Sequence, residues 1–158
     1  MSGALPETNE TLLINPLSSP LQLALYDAEG MRHRVWEVQG YVSDVLTGEL
    51  ERLLQSRRIA KILYVNGPGT YMGIKLCYIL LRTLELVRGI PFEGCSAFSL
   101  NGAQPLKAMG KLYFVKEKET IMTRKFDEKI PQVFTPPPSL CELEIASDRR
   151  PDYRIPAV

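Results

Sequence analysis

Apolar positions change their spacing several times along the chain, and each change marks an element. Residues 11–15 and 21–27 are short apolar runs separated by Asn15-Pro16-Leu17-Ser18-Ser19-Pro20, which has the composition of a turn. Ala28-Glu29-Gly30 supplies a second turn before 32–39, where side chains around Val35 can alternate across a sheet. Three consecutive antiparallel strands are the economical prediction. From Ser43 the period becomes helical: Leu46, Leu50, Leu53 and Leu54 fall at i, i+4, i+7 and i+8, with Asp44, Glu51, Arg52 and Gln55 opposite. Ser43 is the expected N-cap. Arg57-Arg58 is expected to close the helix, where cations favour the C-terminal dipole.

Residues 61–65 form a compact β-rich run that Asn66-Gly67-Pro68-Gly69-Thr70 breaks. A helix over 73–88 follows, ended by Gly89 at C′ with Pro91 beyond it. With a strand over 90–96, this makes one βαβ unit with a right-handed crossover. Beyond Asn101, residues 111–116 and 120–126 can pair as a hairpin across Glu117-Lys118-Glu119. Pro131 and the run Pro136-Pro137-Pro138 exclude regular helix or central strand over 130–140. The tail from Ser147, with Arg149, Arg150, Asp152 and Arg154, is expected to be exposed. No internal repeat is present. The expected organisation is a polar tail (1–10), a main α/β lobe (11–100), a reduced hairpin region (101–130) and a proline-rich, charged C-terminal segment (131–158).

Composition narrows the chemistry. With 45% hydrophobic residues, 19 Lys+Arg against 18 Asp+Glu and a formal charge of +1, the chain reads as one soluble globular unit. It has no protein-wide field to gather nucleic acid. Cys77, Cys95 and Cys141 lack CxxC spacing and read as reduced, buried thiols. His33 is the single histidine, beside Arg32 and Arg34, and is expected to be a solvated strand residue; neither a metal site nor a cofactor is expected. Trp36 is expected in the core. The first residues are polar, and the greasy stretch 74–87 carries Lys75, Arg82 and Glu85, so no membrane span and a cytoplasmic location are expected.

Gly67-Pro68-Gly69-Thr70 has two readings: a turn whose N–H groups hold phosphate next to a helix N-terminus, or a turn that needs glycine for positive φ and close approach. The turn lacks the lysine of a phosphate loop, which favours geometry. The longer string from Leu63 to Leu76, with Gly89-Ile90-Pro91-Phe92-Glu93-Gly94-Cys95-Ser96 after the helix, resembles the TsaB (YeaZ) family, the dimerisation subunit of the bacterial tRNA threonylcarbamoyladenosine (t6A) system. Gly67, Pro68, Gly69, Gly73, Lys75, Gly89, Ile90, Pro91, Gly94 and Ser96 stand at the family's motif positions. Gly40-Tyr41-Val42-Ser43-Asp44 takes the place of its motif before the first helix. Two departures stand out. The family's opening strand ends in Asp-Thr-Ser, where Asn15-Pro16-Leu17 stands here, and most of the family's second lobe is expected to be absent from this chain.

The resemblance implies an α/β fold, the first lobe of an actin-like, ribonuclease-H-like (ASKHA) architecture with a mixed sheet and two main helices. It implies a non-catalytic subunit supporting a TsaD-like enzyme in t6A modification, with a TsaE-like ATPase in the assembled complex. It also implies a homodimer when free, and tRNA contact only through the complex. The runner-up is a small actin-like ATPase or a peptidase, against which stands the lack of a visible nucleophile, metal pair or phosphate-binding acid. A nucleic-acid-binding domain is a third reading, with Arg149-Arg150 as its weak support.

The helices carry the interface expectation. On a wheel of about 100° per residue, Leu76, Leu80, Leu84 and Val87 share one side of the second helix and are expected to pack on the sheet. Tyr78, Ile79, Arg82 and Leu86 fall on another side, with Lys75 between. On the first helix Val45 and Glu49 lie off the leucine stripe. A helix apolar on more than one face needs a second partner, so these seven residues form the expected partner interface. The bland alternative has Tyr78 and Ile79 covered by the C-terminal segment.

Overall fold

The computed structural model describes residues 8–69 and 72–154. Thr70, the extreme N-terminal tail and the last four residues lie outside that set. The chain runs β1 (Glu10–Asn15), β2 (Leu21–Tyr26), β3 (Arg32–Val38), α1 (Val42–Ser56), β4 (Ile59–Gly67), α2 (Met72–Arg88), β5 (Phe92–Ser96), β6 (Leu106–Met109), β7 (Leu112–Glu117) and β8 (Thr120–Lys125). Five strands make a mixed sheet in the order β3-β2-β1-β4-β5, and β6-β7-β8 make a small antiparallel sheet. β1, β2 and β3 pair antiparallel, whereas β4 pairs parallel with both β1 and β5.

Central strands are apolar on both sides because both faces of the sheet are covered. Leu12, Ile14, Leu23, Leu25, Ile62 and Tyr64 face the helices and meet Leu46, Leu50 and Leu53 of α1. Leu13, Ala24, Tyr26, Leu63, Val65 and Cys95 face the other way and meet Phe98, Leu100, Leu106, Phe114 and Leu143. β6 escapes the sequence pattern, since four residues with an alanine carry too short a period.

Several expectations need correction. α1 starts after Tyr41, which caps through its extended backbone without a side-chain bond, so Ser43 lies inside the first turn. Arg57 does not serve the α1 terminus with its charge. Its guanidinium pairs with Glu10 of β1, 3.0 Å away, and His33, an exposed strand residue as expected, contacts the same carboxylate. On α2 the buried row is Ile74, Cys77 and Leu81, with Tyr78, Leu80 and Leu84 packed beside it, while Val87 is 74% exposed. The expected leucine stripe is therefore turned by about one residue, or 100°, from the buried one. Cys77 filling a core position is what moves the row. Cys77 and Cys95 are buried, but Cys141 is exposed.

The tail beyond Ser147 is exposed at Ser147, Asp148, Arg150 and Arg154 as expected, and the described part of the C-terminal segment is in addition bonded to the body of the protein. The carbonyls of Pro136, Pro137 and Pro138 accept bonds from the Arg32 guanidinium, the Tyr26 hydroxyl (2.7 Å) and the Arg32 N–H (2.9 Å). Proline removes donors but keeps acceptors, so the three-proline run serves here as three carbonyl acceptors, and beyond it the Leu140 N–H meets the Gly30 carbonyl at 2.9 Å. Leu143 is buried in the second core, and Glu144 and Ala146 then pair with the outer edge of β5 through Ser96 N–H (2.8 Å) and the Gly94 carbonyl (2.9 Å). Residues 148–152 then lie as a strap over the carboxyl end of β4.

Candidate functional site: the β4–α2 turn and the outer helix surface

In an open sheet with parallel strands, ligands bind outside the carboxyl ends at the point where strand order reverses. Here that point lies between β1 and β4, at Asn15 and Gly67. Asn15 is spent locally: its Oδ1 accepts the Leu17 N–H (3.1 Å) and its Nδ2 donates to Gln22 Oε1 (3.3 Å). Leu17 packs into the crevice, and a Cβ on Gly69 would sit 2.8 Å from it. Gly67 has φ +133°, and a side chain there would collide with the Asp152 carbonyl. The turn needs glycine for geometry. Gly73, in the first turn of α2, approaches the Pro16 carbonyl and Val42, so that a Cβ would lie 3.3 Å from the former.

The polar groups of this turn bind the strap. The Asn66 side chain is 2% exposed, and its Nδ2 donates to the carbonyls of Asp148 and Arg150, both at 2.9 Å. The Asn66 carbonyl accepts the Asp152 N–H at 2.7 Å, and the Gly69 N–H donates to the Asp152 carbonyl at 3.0 Å. Gly94 leaves the space for the Asn66 amide, which a Cβ there would meet at 2.6 Å. Tyr64 donates its hydroxyl to the Arg149 carbonyl, and burial pushes its pKa well above the ordinary phenol value.

Arg149 adds the side-chain contact. Its guanidinium forks onto Glu85 of α2 at 2.6 and 2.9 Å and lies 4.4 Å over the Phe92 ring. Arg82 reaches the same carboxylate at 2.9 Å. These hydrogen bonds, that of Arg149 first, hold the Glu85 carboxyl below its usual pKa. Arg150 does the same for Asp148, drawing it to about 2. Beside the strap is a groove of about 880 Å³, lined among others by Pro68, Lys75, Tyr78, Ile79, Lys116 and Ile121.

The seven expected interface residues divide. Lys75, Ile79 (50% exposed) and Leu86 (76%) lie on the outer surface of α2, with Arg82 on its shoulder beside Glu85. Tyr78 is half-buried, its ring 5.9 Å from Phe92 and 6.5 Å from Tyr64, and Val45 is half-buried against the helix-side core. Glu49 accepts the Trp36 indole N–H at 3.0 Å and the Arg52 guanidinium at 2.8 Å, the latter being the chief cause of its lowered pKa. Trp36 itself packs partly on the core with Arg34 stacked 4.5 Å over it. Met72 and Val87 also stand exposed on α2. A wheel anchored on Cys77 and Leu81 would have found them.

Among the described residues there is no cluster of three or more His, Cys, Asp or Glu able to hold a metal ion, and no helix long and apolar enough to cross a membrane.

No family model matches the sequence, and no curated protein matches it. Solved structures do. The fold is similar to that of YeaZ from Pseudomonas aeruginosa, with TM-score 0.55 and 13% identity over 88% of this chain and 64% of that one. A second structure, described as an uncharacterised protein with similarity to the peptidase YeaZ from Pseudomonas aeruginosa, matches with TM-score 0.52, 13% identity and the same coverage. The chain thus has an α/β fold of the actin-like kind those structures share, and spans just under two thirds of their length.

Proposed function

We propose that this protein is a non-catalytic partner subunit: it pairs with a second copy when alone and with a TsaD-like enzyme in t6A modification. The observation that carries the reading is the outer row of α2, where Ile79, Leu86 and Val87 stand exposed beside Lys75 on a lobe folded like YeaZ. A helix with its inner face on the sheet and further apolar residues outside is built for two partners. The glycine turn supports the same reading, because its N–H and amide groups bind the chain's own strap and Leu17 fills the crevice beside it. A TsaE-like ATPase and tRNA then belong to the assembled complex.

Co-purification of the tagged chain with a TsaD-like protein tests this reading. Ile79→Asp with Leu86→Asp should abolish both that association and self-association while leaving a folded chain. Tyr78 is unsuitable for the test, since its ring packs against Phe92 and Tyr64 and an aspartate there would damage the core. Unchanged association in the double variant would overturn the proposed surface.

A further inference from the structure

The groove beside the strap is lined by α2, by the β7–β8 hairpin and by residues of the segment 144–154. Its volume of about 880 Å³ falls in the range of small-molecule sites, which run from about 300 to 1,000 Å³. Ile79 of α2, Ile121 of β8 and Ile145 supply apolar surface. Ile79 and Ile145 remain 50% and 44% exposed, so the groove holds contact area that the fold itself does not use.

The charged groups of this lining pair off with one another, with two exceptions, Lys75 and Glu119. Lys116 meets Glu144, Arg150 meets Asp148 at 2.5 Å, and Arg154 meets Asp152 at 3.0 Å. Among the described residues, Lys75 has no ion pair and the Tyr78 hydroxyl has no hydrogen-bond partner. These two residues stand at i and i+3 on α2, so an ammonium and a hydroxyl share one strip of helix along the groove. No acidic residue occupies the first turn of α2, which leaves the positive end of the helix uncompensated beside Lys75. Glu119 belongs to the other wall, exposed in the β7–β8 turn. The helix wall therefore offers one cation and one neutral donor next to apolar surface.

We propose that this groove binds a small amphipathic acid, its carboxylate or sulfonate held by the Lys75 ammonium and the Tyr78 hydroxyl and its apolar body laid along Ile79, Ile121 and Ile145. The charge-assisted bond to Lys75 selects the sign of the ligand. Burial of its apolar body supplies the rest of the affinity. The other described cations of the lining are already neutralised by their acids, which favours a single anionic group over a polyanion. The site adjoins the outer row of α2 but does not rest on the partner reading.

Two dyes test it on the full chain: anilinonaphthalene sulfonate, and N-phenylnaphthylamine, which has the same rings without the sulfonate. Both fluoresce when their rings leave water. Saturable binding of the sulfonate is expected, and Lys75→Gln should weaken it by about tenfold while leaving the neutral dye unchanged. Tyr78→Phe keeps the ring against Phe92 and should weaken the sulfonate by a smaller factor. Ile145→Asp, at an exposed position, should weaken both dyes. Dodecanoate should displace the sulfonate dye, and dodecylamine should not. Absence of saturable binding, an equal response of the two dyes to Lys75→Gln, or displacement by the amine as readily as by the acid would overturn the proposal. So would loss of the signal in Leu86→Asp with Lys75→Gln unaffected, because the dye would then sit on the outer row of α2. Circular dichroism verifies that each variant is folded.

Discussion

The two faces of the central sheet are covered by opposite means. On one, α1 and α2 bury leucines, Ile74 and Cys77 against the strands, and stability there scales with apolar area removed from water. On the other, a short three-stranded sheet covers the middle and an irregular strap covers the rim through proline carbonyls, Asn66 and one arginine. The helix face combines a fixed inner surface with an outer row still open to a partner. The strap face is finished by polar bonds that can open singly. Damage should therefore spread through the whole molecule when it strikes the first and stay local when it strikes the second.

The largest effect is expected at Leu50, which is 2% exposed between α1 and the sheet. Leu50→Ala should cost about 2–5 kcal/mol by chemical denaturation, through lost transfer energy and a residual cavity. Ile145→Ala on the strap, where the side chain is 44% exposed, should stay within about 0.5 kcal/mol. A similar loss at both positions would erase the contrast.

Next comes Asn66→Ala. Removing the amide takes both hydrogen bonds from the Asp148 and Arg150 carbonyls and leaves a gap opposite Gly94, a loss on the order of 1–3 kcal/mol. The local signature matters more than the total: tryptic cleavage after Arg149 should accelerate while β1 and β4 amides keep their hydrogen-exchange protection. Loss of protection across the whole sheet would make the strap part of the main cooperative unit. Tyr26→Phe is a smaller probe of the strap's first anchor. It removes the 2.7 Å bond to the Pro137 carbonyl and should cost about 0.5–1.5 kcal/mol in the same denaturation assay.

The contrast also explains what the sequence could reveal. Short continuous apolar runs bounded by turn residues revealed the central strands, and a period of 3.6 revealed both helices, because a strand buried on both faces is apolar throughout while a helix buries only one side. The rotated stripe on α2 shows the limit: the leucines at 76, 80 and 84 make a more uniformly apolar row than the buried Ile74, Cys77 and Leu81, and only the sheet decides that Cys77 belongs inside. The strap had no period to read. Its attachments are backbone N–H and carbonyl groups and charged pairs between Arg149 and Glu85, 64 residues apart, and between Glu144 and Lys116, 28 residues apart, and none of these leaves a mark in composition. The turn glycines could be noticed from sequence, but not that Asp152 is what Gly67 makes room for. Of the residues expected at an interface, Ile79 and Leu86 are exposed, and Tyr78 is half-buried because its ring fills the gap beside Phe92.

The smallest expected effect is on pH. Glu85 is held below its ordinary value of 4.5, first by the Arg149 hydrogen bond, and is partly exposed at the surface, so its contribution is modest and screened by salt. A carboxyl with a depressed folded pKa binds fewer protons when the strap is closed than when it is open. Closure is therefore favoured fully above the unfolded pKa, and that preference is lost as pH falls through the lower, folded value. The Gly69 amide reports the state, since its N–H bonds the Asp152 carbonyl only when the strap is down. Its exchange protection, corrected for intrinsic rate, should be flat at neutral pH and decline below about 4.5 while core amides of β1 stay protected. Glu85→Gln should remove the pH dependence that the Arg149 contact confers at low ionic strength. If that variant declines with acid as the parent does, the acid response belongs to another carboxyl, with Asp148, held at about 2 by Arg150, as the next to test.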